Sequence, residues 1–548
     1  MKNQFILLLI AITFSCKPEP KTVIPPWMPY DESEELIKNA DHESVRMRFK
    51  LIQSQLLDKN KLWDVVGSQI SNFSEEDYQR LKPLIFEQDI PTIQSHIQSG
   101  NLTYETLTQW YLYRIVKYEN DRSTMLNAIV AINANAVEEA REKDKKRPSE
   151  SHPIYGMPIL IKDNINVEGM PTTAGTHLLR NNLASDAFII NRLKEKGAII
   201  LGKTNLSEWA NFLFLGGPNG FSAVGGQTLN AYGRRIFDTG GSSSGSGVAM
   251  AANYAVAAVG TETSGSILSP SSKSSLVGLK PTVGLLSRSG IVPISSTLDT
   301  PGPMTRNVTD NAILLSAMSG EDPDDAATKD NPKDKNYMDA LETGTLKGLR
   351  FGVNKSLLTD SIYLLTIEKM ESLGGVAIEF EPININFEGF GDLLSADMRI
   401  DLPLYLDKYA SEDIQLRSMK EVVEYNNQDT LLRIPYGQAR FFNATEVDLS
   451  TTELIELRTR LHSEGVRYFE TQMEEHQLDV VLSVDNRGAG YAAAAKYPCL
   501  TIPMGYTAEG QPTGLTFIAR PFEEDKLLKI GSAFEQATKA RKFPQPYN

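Results

Sequence analysis

The chain of 548 residues is long enough for one large domain or for two or three ordinary ones. Hydrophobic residues make up 41% and charged residues 23%, which is typical of a soluble globular protein. The formal net charge of -14 argues against non-specific binding to nucleic acid, because the phosphate backbone would be repelled, and no nucleic-acid partner is expected.

The first residues have the pattern of an export signal. Lys2 supplies a positive charge, and residues 5–14 form an apolar run that is too short to span a bilayer. The run ends at Ser15-Cys16, which resembles a bacterial lipoprotein signal in which the cysteine becomes lipidated. A plain secretory signal and an apolar cytosolic N-terminus are the alternatives.

From this pattern we expect residues 1–15 to be a signal peptide and Cys16 to be the lipidation site. Residues 16–30, which include the proline-rich PEPKTVIPP, would form a stiff tether. The mature protein would be exported, as a periplasmic or outer-membrane-anchored bacterial lipoprotein. Its only contact with a membrane would then be the lipid anchor.

Cysteine and histidine usage limits the remaining chemistry. Cys16 and Cys499 are the only cysteines, so lipidation of Cys16 leaves no internal disulfide, and Cys499 in YPCLTIPMGY is expected to be a buried small hydrophobe. No two of the six histidines lie at metal-ligand spacing. We therefore expect no metal site and no cofactor.

Helical patterns dominate the first part of the chain. Residues 31–100 are polar and helical in pattern and form a predicted N-terminal helical extension, with a helix start at Ser74. Apolar residues also recur at helical spacing over residues 103–119 and 131–142. These segments are predicted to be packing helices.

The pattern of apolar and polar residues changes from residue 154 onward. Short apolar runs such as PILIK and GAIILGK alternate with helical segments and glycine-rich turns, which favours a layered α/β architecture. RFGVN at residues 350–354 and three runs within residues 478–518 read as further strands, before a closing helix. We expect residues 101–548 to be one domain, with a helical insert over about 384–475 that supplies pocket walls.

Residues 240–266, GGSSSGSGVAMAANYAVAAVGTETSGS, hold two serine groups. Ser243 is the centre of a G-x-S-x-G match, the nucleophile elbow of α/β-hydrolases, but the preceding YGRRIFDTG does not read as a strand. The histidines that could complete such a triad, His462 and His476, lie in amphipathic helical segments. A phosphate-binding loop lacks the following Lys-Ser/Thr, and a flexible linker does not fit the apolar run that follows.

Lys162 is a possible base for a serine nucleophile. It directly follows the apolar strand pattern of residues 158–161 and precedes a turn. A serine hydroxyl needs a positioned base, and a buried lysine can be neutral near pH 7 because burial disfavours its charged form. Without further context, a surface lysine at the end of a strand is the alternative.

Several motifs in order resemble the amidase signature family. They are GMPILIKDNINVEGMPTTAGT, LGKTNLSEWANF, GGQTLNAYG, DTGGSSSGSG, GTETSGSI and VGLKPTVGLLSRSGIVPISSTLDTPGPMTRNV, and they cover about residues 100–320, with a looser match over 478–540. The resemblance implies an α/β fold of three α/β/α layers with a large mixed central sheet. It also implies an amidase that uses a Ser-cisSer-Lys triad.

Carried over by position, the resemblance assigns each catalytic role to a residue. Lys162 is the base, Ser242 is the bridging serine that follows a cis peptide bond, and Ser266 is the nucleophile that forms an acyl-enzyme. Backbone N–H groups of Thr263, Ser264 and Gly265, together with that of Ser266, would hold the oxyanion.

The chain departs from many family members next to the nucleophile, where Leu268 replaces an arginine. With GTET and GLKPTVGLLSRSGIVPIS, this looks more like the peptide amidase branch. The expected partner is therefore a small-molecule or peptide amide, and the enzyme would release a carboxylic acid and ammonia or an amine, possibly from a peptide C-terminus. An inactive amidase-fold binding protein and a glutamine-dependent amidotransferase-type subunit remain as alternatives.

Overall fold

The computed structural model describes residues 21–332, 335–341 and 344–548. The predicted signal peptide at residues 1–15 and the predicted lipidation site Cys16 lie outside these ranges. Within the described ranges, no helix combines the length and the apolar character that crossing a bilayer requires.

Helices are distributed along the whole described chain. They are α1 Ser33–Asn39, α2 Lys59–Ile70, α3 Glu75–Ile85, α4 Ile90–Gln98, α5 Tyr104–Glu119, α6 Ala136–Lys146, α7 Phe188–Glu195, α8 Ser244–Ala251, α9 Leu268–Lys273, α10 Val308–Met318, α11 Ser361–Ser372, α12 Phe390–Tyr409, α13 Met419–Asn427, α14 Thr430–Arg433, α15 Ala439–Glu446, α16 Thr451–Glu475, α17 Ala489–Ala495 and α18 Glu524–Thr538.

Strands begin only after α5. They are β1 Ile129–Ile132, β2 Pro158–Lys162, β3 Ile199–Thr204, β4 Phe221–Ser222, β5 Gly226–Gln227, β6 Ala257–Glu262, β7 Val277–Lys280, β8 Thr300–Thr305, β9 Arg350–Asn354, β10 Val376–Phe380, β11 Val480–Val484, β12 Cys499–Tyr506 and β13 Pro512–Ile518. β4 and β5 form a small hairpin, and the others form one sheet.

The large sheet has 11 strands in the order β1-β3-β2-β6-β8-β7-β12-β13-β11-β9-β10. Pairing is parallel for β3-β2-β6 and for β11-β9-β10, and antiparallel for the pairs between and beside these groups. β2, β3 and β6 are buried at every position. Continuous burial requires cover on both faces, so the predicted α/β fold with a large mixed sheet is confirmed.

The predicted helical extension and insert both consist of helices. Residues 31–100 contain α1 to α4, and Ser74 caps α3 by accepting a hydrogen bond from the Asp77 N–H. Residues 384–475 contain α12 to α16. The insert packs a second apolar cluster, in which Leu402 and Phe441 are buried, against residues of the main domain such as Trp209.

Two predicted segments differ from the structure. Residues 131–142 do not form one helix, because Ile129–Ile132 is a strand at the sheet edge; a short apolar run does not distinguish a strand from a helix. Residues 21–30 of the predicted tether lie against the body. The Trp27 ring is 9% exposed, and the Trp27 N–H donates to Asn60 Oδ1 at 2.7 Å. The buried tryptophan accounts for this packing.

Candidate active site

Lys162 is the last residue of β2, the strand between β3 and β6 in the parallel part of the sheet. Its side chain is fully buried. Nζ lies 2.7 Å from Ser242 Oγ, 2.8 Å from Thr261 Oγ1 and 3.1 Å from the Thr261 carbonyl oxygen. The two Thr261 oxygens can accept both N–H bonds of a neutral amine, which leaves its lone pair directed at the Ser242 hydroxyl.

Burial of Lys162 lowers the pKa of its amine from 10.5 to about 7. The carboxylates of Asp299 and Glu262 act in the opposite direction and raise this pKa, but their effect is smaller than that of burial. A substantial fraction of Lys162 is therefore neutral near pH 7, which is the form that can accept a proton.

A second buried lysine lies on the neighbouring strand. Lys203 of β3 has its Nζ 2.9 Å from Asp163 Oδ1, and both side chains are almost fully buried. Lys203 also donates to Thr172 Oγ1 at 3.0 Å. An ion pair with a carboxylate favours the protonated form of a lysine. Among the described residues, Lys203 has such a partner and Lys162 does not, so Lys162 is the better candidate for a neutral base.

Ser242 follows a cis peptide bond to Gly241, the form that the family resemblance implies. The Ser242 carbonyl oxygen accepts a hydrogen bond from the Ser207 N–H at 3.0 Å. A Cβ atom on Gly241 would lie 2.6 Å from Ser207 Oγ, so this position has room only for glycine. The segment at Ser207 therefore holds the backbone of the bridging serine.

The Ser243 hydroxyl is hydrogen-bonded to the backbone of Thr261. Its Oγ donates to the Thr261 carbonyl oxygen at 3.1 Å and accepts from the Thr261 N–H at 3.2 Å, and the side chain is fully buried. His462, a possible partner for it, lies on α16 with Nδ1 2.9 Å from the Ala494 carbonyl oxygen. The structure thus uses the centre of the G-x-S-x-G match as a packing residue.

Ser266 lies in the loop between β6 and α9, and this loop is shaped by Glu262. The Glu262 carboxylate accepts the N–H groups of Gly265 at 2.6 Å, Ile267 at 2.7 Å and Leu268 at 3.0 Å. The Ser266 carbonyl oxygen accepts the Ser243 N–H at 3.2 Å, which joins the two serine motifs directly. The side chain of Ser266 is 8% exposed, and its hydroxyl has no hydrogen-bond partner in the described part of the chain.

The predicted oxyanion donors divide into two groups. The Gly265 N–H is bound to Glu262, so the expectation that it donates to an oxyanion is wrong for this conformation. Over the described ranges, the N–H groups of Thr263, Ser264 and Ser266 make no hydrogen bond. Gly265 instead shapes the loop, with φ +88°, and a Cβ there would lie 2.7 Å from Asn486 Nδ2.

A cavity of about 260 Å³ adjoins this loop. Its lining includes Thr261, which contacts Lys162, and Thr263 of the nucleophile loop, as well as residues of α12 in the insert. The lining residues are Asn164, Ala210, Thr261, Thr263, Arg288–Ile294 without a break, Ser296, Asp299–Pro301, Asp324, Asp325, Asp401, Leu404, Tyr405, Lys408 and Tyr409.

Several residues of the site were not singled out from the sequence. Thr261 and Glu262 belong to GTETSGSI, and Asp299 belongs to SSTLDTPG, so both motifs contained them. Asn164 follows Lys162 in IKDN and donates to Thr261 Oγ1 at 3.0 Å. Their position as polar residues within the same motifs as the assigned catalytic residues was the signal that could have predicted them.

Comparisons with known proteins identify the family of the chain. The family model described as Amidase matches residues 106–484. A probable amidase of Arabidopsis thaliana is 36% identical over 84% of this chain and 92% of its own length. A glutamyl-tRNA(Gln) amidotransferase subunit of Lysinibacillus sphaericus is 30% identical over 84% of this chain and 98% of its own.

Solved structures give the same result. The native peptide amidase from Stenotrophomonas maltophilia superposes with a TM-score of 0.79 at 35% identity, covering 84% of this chain and 98% of that one. A family match over more than half of the chain and a shared fold at this identity establish the relationship. The chain belongs to the amidase signature family and is an amidase.

Proposed function

We propose that this amidase hydrolyses a carboxamide C–N bond through an acyl-enzyme on Ser266, with Ser242 as the bridging residue and Lys162 as the base. The observation that carries the proposal is the 2.7 Å contact between Lys162 Nζ and Ser242 Oγ. Both side chains are fully buried, and the next residue, Ser243, donates its backbone N–H to the Ser266 carbonyl oxygen at 3.2 Å.

The reaction begins with two proton transfers. Neutral Lys162 takes the proton of the Ser242 hydroxyl as Ser242 takes that of Ser266, and Ser266 Oγ forms a bond to the amide carbonyl carbon. The free N–H groups of Thr263, Ser264 and Ser266 support binding of the developing oxyanion. Glu262 accepts the Gly265 and Ile267 N–H groups, which fixes the backbone of the loop that carries these donors.

The protons then return along the same path. As the C–N bond breaks, the nitrogen takes a proton from Ser242, which regains one from Lys162, and ammonia or an amine leaves. Water attacks the acyl-enzyme carbonyl and gives its proton to the same pair of residues. The carboxylic acid leaves, and the Ser266 hydroxyl is restored.

Two relatives support different substrates. The likeness to a peptide amidase supports a peptide C-terminal amide as the substrate. The likeness to a glutamyl-tRNA(Gln) amidotransferase supports glutamine as a second candidate, with ammonia passed to an acceptor. The cavity beside Thr263 has room for the acyl portion of a small amide.

A panel of peptide amides, fatty amides, aryl amides and glutamine tests this function. Purified protein is assayed for both ammonia or amine and acid, alongside Ser266→Ala as the matched control. We expect hydrolysis of at least one non-glutamine amide and its loss in the variant. Turnover of glutamine alone would favour the amidotransferase role, and activity retained by Ser266→Ala would reject the mechanism.

We also propose that the protein is exported and anchored by a lipid on Cys16. The support is the apolar run of residues 5–14 followed by Ser15-Cys16. Cys16→Ala should move the protein from the membrane fraction to the soluble fraction when it is expressed in a bacterial host. Unchanged partitioning would reject lipidation.

A further inference from the structure

Asp299 lies between the nucleophile loop and the cavity wall. It directly precedes β8, and the next residue, Thr300, pairs with Glu262 at the end of β6. Asp299 therefore stands beside Thr263, whose Oγ1 donates a hydrogen bond to Asp299 Oδ1. The other carboxylate oxygen, Oδ2, accepts the N–H groups of Ile294 at 2.8 Å and Ser295 at 2.9 Å.

The charge of Asp299 has no partner of opposite sign in contact. Over the described ranges, Asp299 forms no ion pair, although two cations also line the cavity. Arg288 is paired with Asp325, with 2.9 Å between Nε and Oδ2, and Lys408 is paired with Asp324 at 3.0 Å. Burying a carboxylate in this position costs desolvation free energy that a neutral side chain would not.

That charge acts on Lys162. Asp299 is the largest of the charges that raise the pKa of the Lys162 amine against the effect of burial, ahead of Glu262. Asp163 and Lys203 are joined in an ion pair. Burial raises the pKa of the Asp299 carboxyl, and its hydrogen bonds from Thr263, Ser295 and Ile294 and the charge of Arg288 act in the opposite direction. Asp299 thus accepts a hydrogen bond from Thr263 and also acts electrostatically on Lys162.

We propose that Asp299 is a positioning residue of the reaction, which fixes Thr263 and the N–H donors beside it to the cavity wall and at the same time places a negative charge near Lys162. This inference rests on the proposed function of Lys162, Ser242 and Ser266. Asp299 contacts the hydroxyl of Thr263 and needs no contact with the substrate.

The two effects can be separated by substitution. Asp299→Asn removes the charge and replaces one accepting oxygen with an NH2 group. Thr263→Val removes the hydrogen bond between Thr263 and Asp299 and keeps the charge. Asp299→Glu keeps the charge and displaces the oxygens. Asp401→Asn is the matched control, because Asp401 accepts the Ser296 N–H at 2.5 Å on the same cavity wall and is not among the charges that act on Lys162.

The readout is the rate at which a fluorophosphonate labels Ser266, measured from pH 5 to pH 9 by intact mass. Labelling reports activation of the nucleophile and does not depend on which amide is the substrate. Asp299→Asn should slow labelling about 10- to 100-fold at pH 8 and move the midpoint of the acid limb to lower pH by about 0.5–1 unit. Thr263→Val should slow labelling with the midpoint unmoved, and Asp401→Asn should keep the wild-type midpoint.

A midpoint that stays in place or rises in Asp299→Asn would overturn the electrostatic part of the inference, and an unchanged labelling rate would overturn the positioning part. If Asp299→Asn does not fold, the labelling rates of Thr263→Val and Asp299→Glu test the inference instead. Wild-type labelling rates in both variants would overturn it. A wild-type protein that is not labelled at Ser266 would instead reject the proposed mechanism, and with it this inference.

Discussion

Asp163 pairs with Lys203 and not with Lys162, although it directly follows Lys162 in the chain. Asp163 Oδ1 lies 2.9 Å from Lys203 Nζ. Lys203 stands opposite Ile161 in the parallel pairing of β2 with β3, one position away from Lys162. Since successive side chains point to opposite faces of a sheet, Lys162 faces away from this ion pair and keeps an environment without a contacting carboxylate.

Substitution of the two lysines should change stability in opposite directions. Lys162 has a lower pKa folded than unfolded, so the unfolded state binds more protons between about pH 7 and pH 10. The free-energy cost of burying the Lys162 ammonium is therefore full at and below about pH 7 and declines as the pH rises towards the unfolded pKa. Lys162→Met should therefore raise the free energy of unfolding by about 1–3 kcal/mol at pH 7, and by less near pH 10.

Lys203→Met is the matched comparison. It leaves Asp163 buried without its ion-pair partner, which should lower the free energy of unfolding by about 3–5 kcal/mol. Denaturant unfolding at pH 7 and pH 9.5 measures both changes. A Lys162→Met protein less stable than wild type at pH 7 would contradict the account of its ionisation.

The acid limb of the activity profile should report Lys162. Its pKa of about 7 predicts that kcat/KM falls about tenfold per unit of pH below that value, because the protonated amine cannot accept a proton. The pH dependence of kcat/KM with a neutral amide is the measurement. A rate that is constant down to about pH 5 would count against a lysine base.

Ser242 and Ser243 are adjacent and should differ in effect. Ser242→Ala removes the group between Lys162 and the nucleophile and should lower kcat/KM by about 10²–10⁴-fold. Ser243→Ala removes hydrogen bonds to Thr261 worth about 1 kcal/mol and should cost less than about tenfold. Steady-state kinetics measure kcat/KM of both variants. A larger loss of kcat/KM in Ser243→Ala than in Ser242→Ala would contradict the assignment and favour Ser243, the G-x-S-x-G serine, as a catalytic residue.

Glu262→Gln should lower kcat more than it changes KM. One carboxylate oxygen accepts the Gly265 N–H and the other accepts those of Ile267 and Leu268, so an amide NH2 must face a donor on one side. The loop that presents Ser266 then shifts, at a cost of about 10- to 100-fold in kcat. Equal kcat in the variant and the wild type would show that the loop keeps its shape without the carboxylate.

The sequence predicted those parts of the fold that depend on local pattern. PILIK and RFGVN each coincide with a strand at both ends, and Ser74 caps the start of α3, because apolar runs and capping residues act within a few positions. The order of strands in the sheet was not predictable, since pairing of β6 with β8 or of β7 with β12 joins segments far apart in the chain.

Within the site, the sequence motifs supplied the catalytic assignments, but not the hydrogen bonds around them. The motif predicts Gly265 as an oxyanion donor, whereas its N–H donates to Glu262. Nothing in the spacing of LGKTN and IKDN distinguishes Lys203 from Lys162 as the free base. That distinction depends on which face of the sheet each side chain occupies, and therefore on strand register.

The proposed mechanism depends most on Ser266 as the attacking residue. The direct measurement is intact-mass and peptide mapping of the protein after reaction with a fluorophosphonate at pH 8, for the wild type, Ser266→Ala and Ser243→Ala. We predict one adduct, located on Ser266, that is absent from Ser266→Ala and present in Ser243→Ala. An adduct that persists in Ser266→Ala, or that maps to Ser243, would contradict the account.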